Sequence, residues 1–187
     1  MKISDNRFCD ASQYTFEKIF PGLVFPVQEI LAREAALDLG ARERRFLLYA
    51  ASILIFTGLK IITKFHSFGT DVRDDVEGFV GLYFPETYRW QYKKLYRAYE
   101  QGFLHEGNQA VVFKDKAGAA AFEQTSENIL HVNVPVFFAD FQAAVNKFRE
   151  ALNRDEGSAC RDSFFRNYEK ILTACAPQKT IFSVSNA

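Results

Sequence analysis

Cysteine is scarce in this chain and carries no pattern. The three present, Cys9, Cys160 and Cys175, are odd in number and show no CxxC spacing. That argues against a disulfide framework or a zinc ribbon, and a reducing, cytoplasmic compartment is expected. Charge of one sign is missing too. Lysine plus arginine and aspartate plus glutamate number 23 each, so no global field draws the chain to nucleic acid or membrane. Any phosphate binding has to come from a local patch. No GxGxxG, GxxxxGKS/T or GxSxG run occurs, which leaves dinucleotide, P-loop and hydrolase-elbow chemistry unsupported. The three histidines, His66, His105 and His131, show no HxxxH or HxxE spacing. No metal site and no cofactor are expected. The longest charge-free apolar run, Phe46 to Leu59, is too short to span a bilayer and meets Lys60 at once, which predicts a buried core helix and no membrane span. The polar opening MKISDNRFCD does not read as a signal peptide.

Aromatic residues, by contrast, are abundant: 20 phenylalanines, with 48% of the chain hydrophobic. No repeat or low-complexity linker divides the chain, so a single domain over 1–187 is expected, with 1–25 and 176–187 irregular. Pro26 suits a first helical position ahead of Val27, Ile30, Leu31, Ala35 and Leu39, with Gly40 just past the end. A second helix is predicted from about Arg42 to Lys64, apolar nearly all round. Thr70 or Asp71 caps a third, with a stripe of Val72, Val76, Phe79, Val80 and Tyr83. Its acids Asp71, Asp74, Asp75 and Glu77 match the dipole of a first turn, which accounts for them without Mg²⁺. A fourth helix starts near Thr87, where Tyr88, Tyr92, Leu95, Tyr96 and Tyr99 make one packed face. NQAVVF and NILHVNV read as short strands paired in a ribbon with a long connection. Pro135 then opens a helix buried through Phe137, Phe138, Phe141, Val145, Phe148 and Leu152. Ser158 caps the last, with Phe164, Phe165, Tyr168, Ile171 and Leu172 inside. The fold class is mainly α: a helical bundle with a small inserted β-hairpin.

Opposite the tyrosine stripe, Arg89, Lys93, Arg97, Gln101 and His105 recur every four residues, drifting by only about 40° per step. Lys94 lies beside them. Such a ridge can hold phosphates, and it can equally be the solvated face of a packed helix. His105 has the chemistry of a general acid or base near neutral pH. Gly102 is expected to end or kink the helix before it.

From Leu95 to Glu106, LYRAYEQGFLHE, preceded by an apolar helix and followed by a hairpin and the helix NVPVFFADFQAAVNKF, the chain resembles HEPN-like helical-bundle proteins. It resembles in particular a bacterial group with LYRNGLVH-like runs. The resemblance covers roughly Arg42 to Leu172. It implies a helical bundle that dimerises through the fourth helix and has a history of contact with RNA or nucleotides. Active HEPN ribonucleases cut RNA without metal, through an arginine and a polar residue four to six positions before a histidine. Here His105 stands at the histidine, Gly102 at the glycine and Gln101 at the polar position, but Glu100 replaces the arginine. A carboxylate beside a scissile phosphate repels it. Arg97, one turn earlier, is the candidate substitute clamp, at a spacing to His105 longer than that of the family motif.

The expected function is therefore a catalytically degenerate HEPN-like module that binds RNA or nucleotide through Arg89, Lys93, Lys94, Arg97 and Gln101. Two alternatives stay open. One is a structural or protein-interaction homodimer, suggested by the surplus of aromatics. The other is a metal-independent ribonuclease using His105 and Arg97.

Overall fold

A central helix has to find apolar partners on nearly every side, and α3 (Ala41–His66) does so. In the structure, a computed structural model, α2, α4, α6, α7 and strand β1 all pack against it. The structure describes residues 5–66, 72–100, 111–115, 120–127, 129–154 and 159–175. The molecule is a mainly helical bundle with a small β element, as the apolar periodicity predicts. Helix α3 is long and apolar enough to cross a membrane, but half of that apolar stretch is buried by its neighbours in the bundle. At Gly58 a Cβ would stand 3.0 Å from the Phe141 ring and 3.7 Å from Leu23. The missing side chain is what lets α6 and α2 close on α3 at that level.

The N-terminal region departs from expectation. Residues 5–25 are helical rather than irregular: α1 (Asp5–Tyr14) runs through a π turn (Thr15–Ile19) into α2 (Phe20–Ala36). The Phe20 N–H donates to the Thr15 carbonyl, the wider step of a π turn. This lies directly ahead of Pro21, which has no N–H with which to continue an α ladder. Pro26 is inside α2 and not at its start. The turn rephases the helix so that Phe8 and Ala11 before it, Phe16 within it and Val24 and Val27 after it all reach the core.

The β element also differs from a two-stranded ribbon. Strands β1 (Val111–Lys114), β2 (Phe122–Gln124) and β3 (Leu130–Asn133) form one sheet in the order β1-β3-β2. β1 pairs parallel with β3, Val111 facing Leu130, whereas β2 pairs antiparallel, Phe122 facing Val132. A parallel pair needs a long crossover, and here the crossover supplies a strand of its own. The hairpin is thus β2–β3, closed by Thr125, whose backbone N–H donates to the Ile129 carbonyl and whose Oγ1 accepts from the Ile129 N–H. Asn133 leads without a break into α6 (Val134–Arg154).

Helices α4 (Val72–Tyr83), α5 (Tyr88–Glu100) and α7 (Ala159–Cys175) complete the bundle. Thr70, Asp71 and Ser158, expected as caps, and the tail 176–187 lie outside the described residues. The core is a continuous aromatic network. Phe148 meets Phe16, Phe79 and Phe164 with centroids 5.6–6.2 Å apart, and Phe16 stacks on Phe164. Such pairs add to simple area burial. Tyr88 is fully buried between Phe84, Phe122 and Phe137, and its hydroxyl donates to Asp140 Oδ2 at 2.7 Å. Burial, and then the Asp140 carboxylate, push its phenol far above the usual range. Tyr88→Phe leaves the ring and removes a hydrogen bond to a charged acceptor. A loss of about 1.5–3 kcal/mol is expected, read as a lower urea midpoint at unchanged slope. An unchanged midpoint would show that water serves Asp140 equally well.

A second polar joint ties the sheet to the first helices. Glu34 of α2 is only 2% exposed, and its Oε1 lies 3.0 Å from Arg44 Nε of α3. Burial raises its pKa most, followed by a hydrogen bond and repulsion from Asp115 just after β1, with Arg44 opposing. A carboxyl raised on folding favours the folded state when protonated. Its contribution is complete below the ordinary value of 4.5 and is lost as pH rises through the raised value. Between acid and neutral pH, the melting temperature of the wild type should therefore fall relative to that of Glu34→Gln. Parallel curves from calorimetry across that range would instead show that Arg44 keeps the carboxylate ionised.

Candidate nucleic-acid interface

Helix α5 begins where α4 cannot continue. The Phe84 N–H closes the last turn of α4 on the Val80 carbonyl, Pro85 follows, and the Tyr88 and Arg89 N–H groups donate to the Pro85 and Glu86 carbonyls. Lys147 Nζ donates to the Tyr83 carbonyl at 3.3 Å, placing a cation at the negative end of α4. From Tyr88 onward the expected stripe is inside: Tyr88, Tyr92, Leu95 and Tyr96 are buried, and Tyr99 is half-buried and stacks on Phe56 with centroids 4.9 Å apart. Lys60 of α3, in sequence only the residue that ends the apolar run, places its ammonium 5.6 Å from the Tyr96 ring centre and 5.1 Å from that of Tyr99. These cation–π contacts hold the C-terminal half of α5 onto α3.

With that stripe inward, the cations of α5 face out, but they are not equivalent. Arg89 lies 3.7 Å from Glu86 and donates to the Gly81 carbonyl at 3.3 Å. Lys93 pairs with Glu77 of α4 at 2.9 Å. Each pair is at least half exposed on its basic side, so it contributes little to stability, yet it offsets charge that a phosphate would otherwise meet. Lys94 is half-buried and Arg97 exposed. Among the described residues no carboxylate pairs with Arg97. The even ridge expected from the sequence thus narrows to Arg97. Gln101, Gly102 and His105 lie outside the described residues, as does the side chain of Glu100. The proposed pairing of Arg97 with His105 is therefore not part of this geometry.

One residue of this face went unremarked in the sequence. Trp90 is 84% exposed, the most exposed large apolar side chain described. Its signal was its phase: it falls about 200° from Tyr88, opposite the buried stripe. Lys93 and Lys94 are three and four residues on, its nearest neighbours along the helix surface, and Arg97 lies at seven.

The two described histidines are built into the structure. His66 ends α3 as a buried ring, with Phe79, Tyr83 and Phe148 each 5.5 Å away. His131 sits on β3 across from Glu123, 3.9 Å from its carboxylate. Cys9 is exposed, Cys160 is half-buried and hydrogen-bonds with Tyr83, and neither forms a disulfide among the described residues. Among the described residues no group of three histidine, cysteine or acidic side chains could hold a metal ion. Comparison of the chain with protein-family models, with curated proteins and with solved structures finds no match.

Proposed function

We propose that this is a HEPN-like, catalytically degenerate module that binds RNA through the outward face of α5. The observation that carries it is the exposed Arg97, with no carboxylate partner among the described residues, on the face it shares with Lys93 and Lys94. A phosphate there meets a guanidinium able to bind it in bidentate fashion. Glu100, where active nucleases carry arginine, favours binding without cleavage. Leu82 and Trp90 are 68% and 84% exposed on consecutive helices, and this favours a second reading, a homodimer or other protein contact through the α4–α5 surface.

Fluorescence anisotropy with a labelled single-stranded RNA, titrated from low to moderate salt, tests the first reading. Wild-type affinity should fall with salt. Lys94→Glu with Arg97→Glu should weaken binding and flatten the log–log slope by about 1.4, two contacts at roughly 0.7 each. Absent binding at low salt, or indifference to the double reversal, would sink it. RNA cleavage in EDTA that disappears in His105→Ala would make the protein a ribonuclease instead. Light scattering that shows a dimer dissociated by Leu82→Glu, with no RNA binding, would favour the second reading.

A further inference from the structure

We infer that the tip of the α2–α3 hairpin is a membrane-docking element that seats on an anionic lipid surface. It uses none of the α5 face, and its test is independent of RNA binding.

Glu34 is the last buried residue of α2 and Leu48 the first of α3. From Ala35 to Phe46 every residue is exposed except the half-buried Leu39. The hairpin end therefore stands clear of the bundle. It nevertheless carries two large apolar side chains, Leu37 at 53% exposure and Phe46 at 67%.

The cations of the tip are placed against local electrostatics. Arg42 and Arg45 stand at the start of α3, where the helix dipole disfavours positive charge. The fold employs only their neighbours. Arg44 pairs with the buried Glu34, and Glu43 turns back to accept from the Gly40 N–H at 3.0 Å. Arg42, Arg45 and Arg33 on the last turn of α2 are all exposed, and none meets a carboxylate among the described residues. Asp38 is the one acid of the tip left without a cation. Arg42, Arg45 and Phe46 fall within about 100° of one another around α3, so the apolar and the cationic groups share a side.

An anionic membrane complements both at once. Its headgroups take the guanidinium groups, and the boundary with the acyl chains takes Leu37 and Phe46. A stable protein contact buries roughly 800 Å² on each partner, whereas the ends of two helices, each about 10 Å across, offer about 200 Å². A nucleic acid would match the arginines and leave Leu37 in water. A lipid surface needs no matching concavity, and a projecting tip reaches it without disturbing the bundle.

The probes are sedimentable vesicles of phosphatidylcholine alone and of phosphatidylcholine and phosphatidylserine in equal parts, without RNA. The protein should sediment with the mixed vesicles at low salt, be released as salt rises, and stay in solution with the neutral ones. Arg42→Gln with Arg45→Gln should weaken binding about twentyfold, roughly fivefold for each charge. Phe46→Ser should weaken it about tenfold. Asp38→Asn should tighten it, because it removes the acid that the surface repels, and a gain of this kind cannot come from a folding defect. No sedimentation with the mixed vesicles, or equal sedimentation with the neutral ones, overturns the inference. Binding that depends on the arginines but not on Phe46 would be attraction without seating and would overturn it as well. So would looser binding in Asp38→Asn. A dimer seen by light scattering without lipid and dissociated by Phe46→Ser would assign the tip to a second copy of the chain and overturn the membrane role.

Discussion

The rotation of α5 about its own axis is the constraint on which the candidate site depends, and Tyr88 sets it. A fully buried phenol has one acceptable orientation when its oxygen must reach Asp140 and its ring must fit between Phe84, Phe122 and Phe137. That single side chain joins α5, the sheet and α6. Once it is seated, the three- and four-residue spacing carries Tyr92, Leu95 and Tyr96 inward and turns Trp90, Lys93, Lys94 and Arg97 to solvent. A helix rotated by one residue would turn Arg89 and Lys93 toward the core and carry Tyr88 and Tyr99 outward.

The aromatic surplus has a structural destination. Phe56, Phe65, Phe79, Phe137, Phe141, Phe148 and Phe164 are fully buried, distributed over α3, α4, α6 and α7. Their edge-to-face and tilted contacts run without a gap from the sheet to the N-terminal helix. The excess noted in the composition thus goes into the interior in large part. What remains outside among the described residues, Leu82 and Trp90 on α4 and α5 and Tyr14, Phe25, Leu37 and Phe46 elsewhere, is a short set. Within it, Trp90 and Phe46 are set apart by the charge around them.

Much of this was legible in the sequence. The tyrosine stripe, the apolar α3 and the phenylalanine face of α6 are long periodic segments whose burial follows from spacing alone. The failures have identifiable causes. Pro21, Gly22 and Pro26 look like chain breakers, and the π turn shifts the apolar phase between Phe16 and Val24, so no single period spans residues 5–36. Strand β2 has three residues, too few to show alternation, and pairing direction is a tertiary property. The exposed basic face was legible, but its partial neutralisation was not. Glu77 and Lys93 are sixteen positions apart and meet only because α4 and α5 pack side by side. Trp90 was missed because attention to a stripe discounts the one aromatic that lies off it.

The π turn at Thr15–Ile19 makes the N-terminal segment tolerant of length change in one direction only. A π step holds one residue more than the α step it replaces, so losing a residue there gives the chain a regular helix to close into. The shorter helix would leave α1 in much the same phase relative to α2, because the residue lost is the one the wider turn absorbs. Phe8 would stay on Phe164 and Arg161, and Arg7 on Glu169. Gaining a residue offers no comparable regular form. Natural variants of this chain that differ in length between Tyr14 and Pro21 should therefore be shorter ones, and they should keep the contacts between the first and last helices.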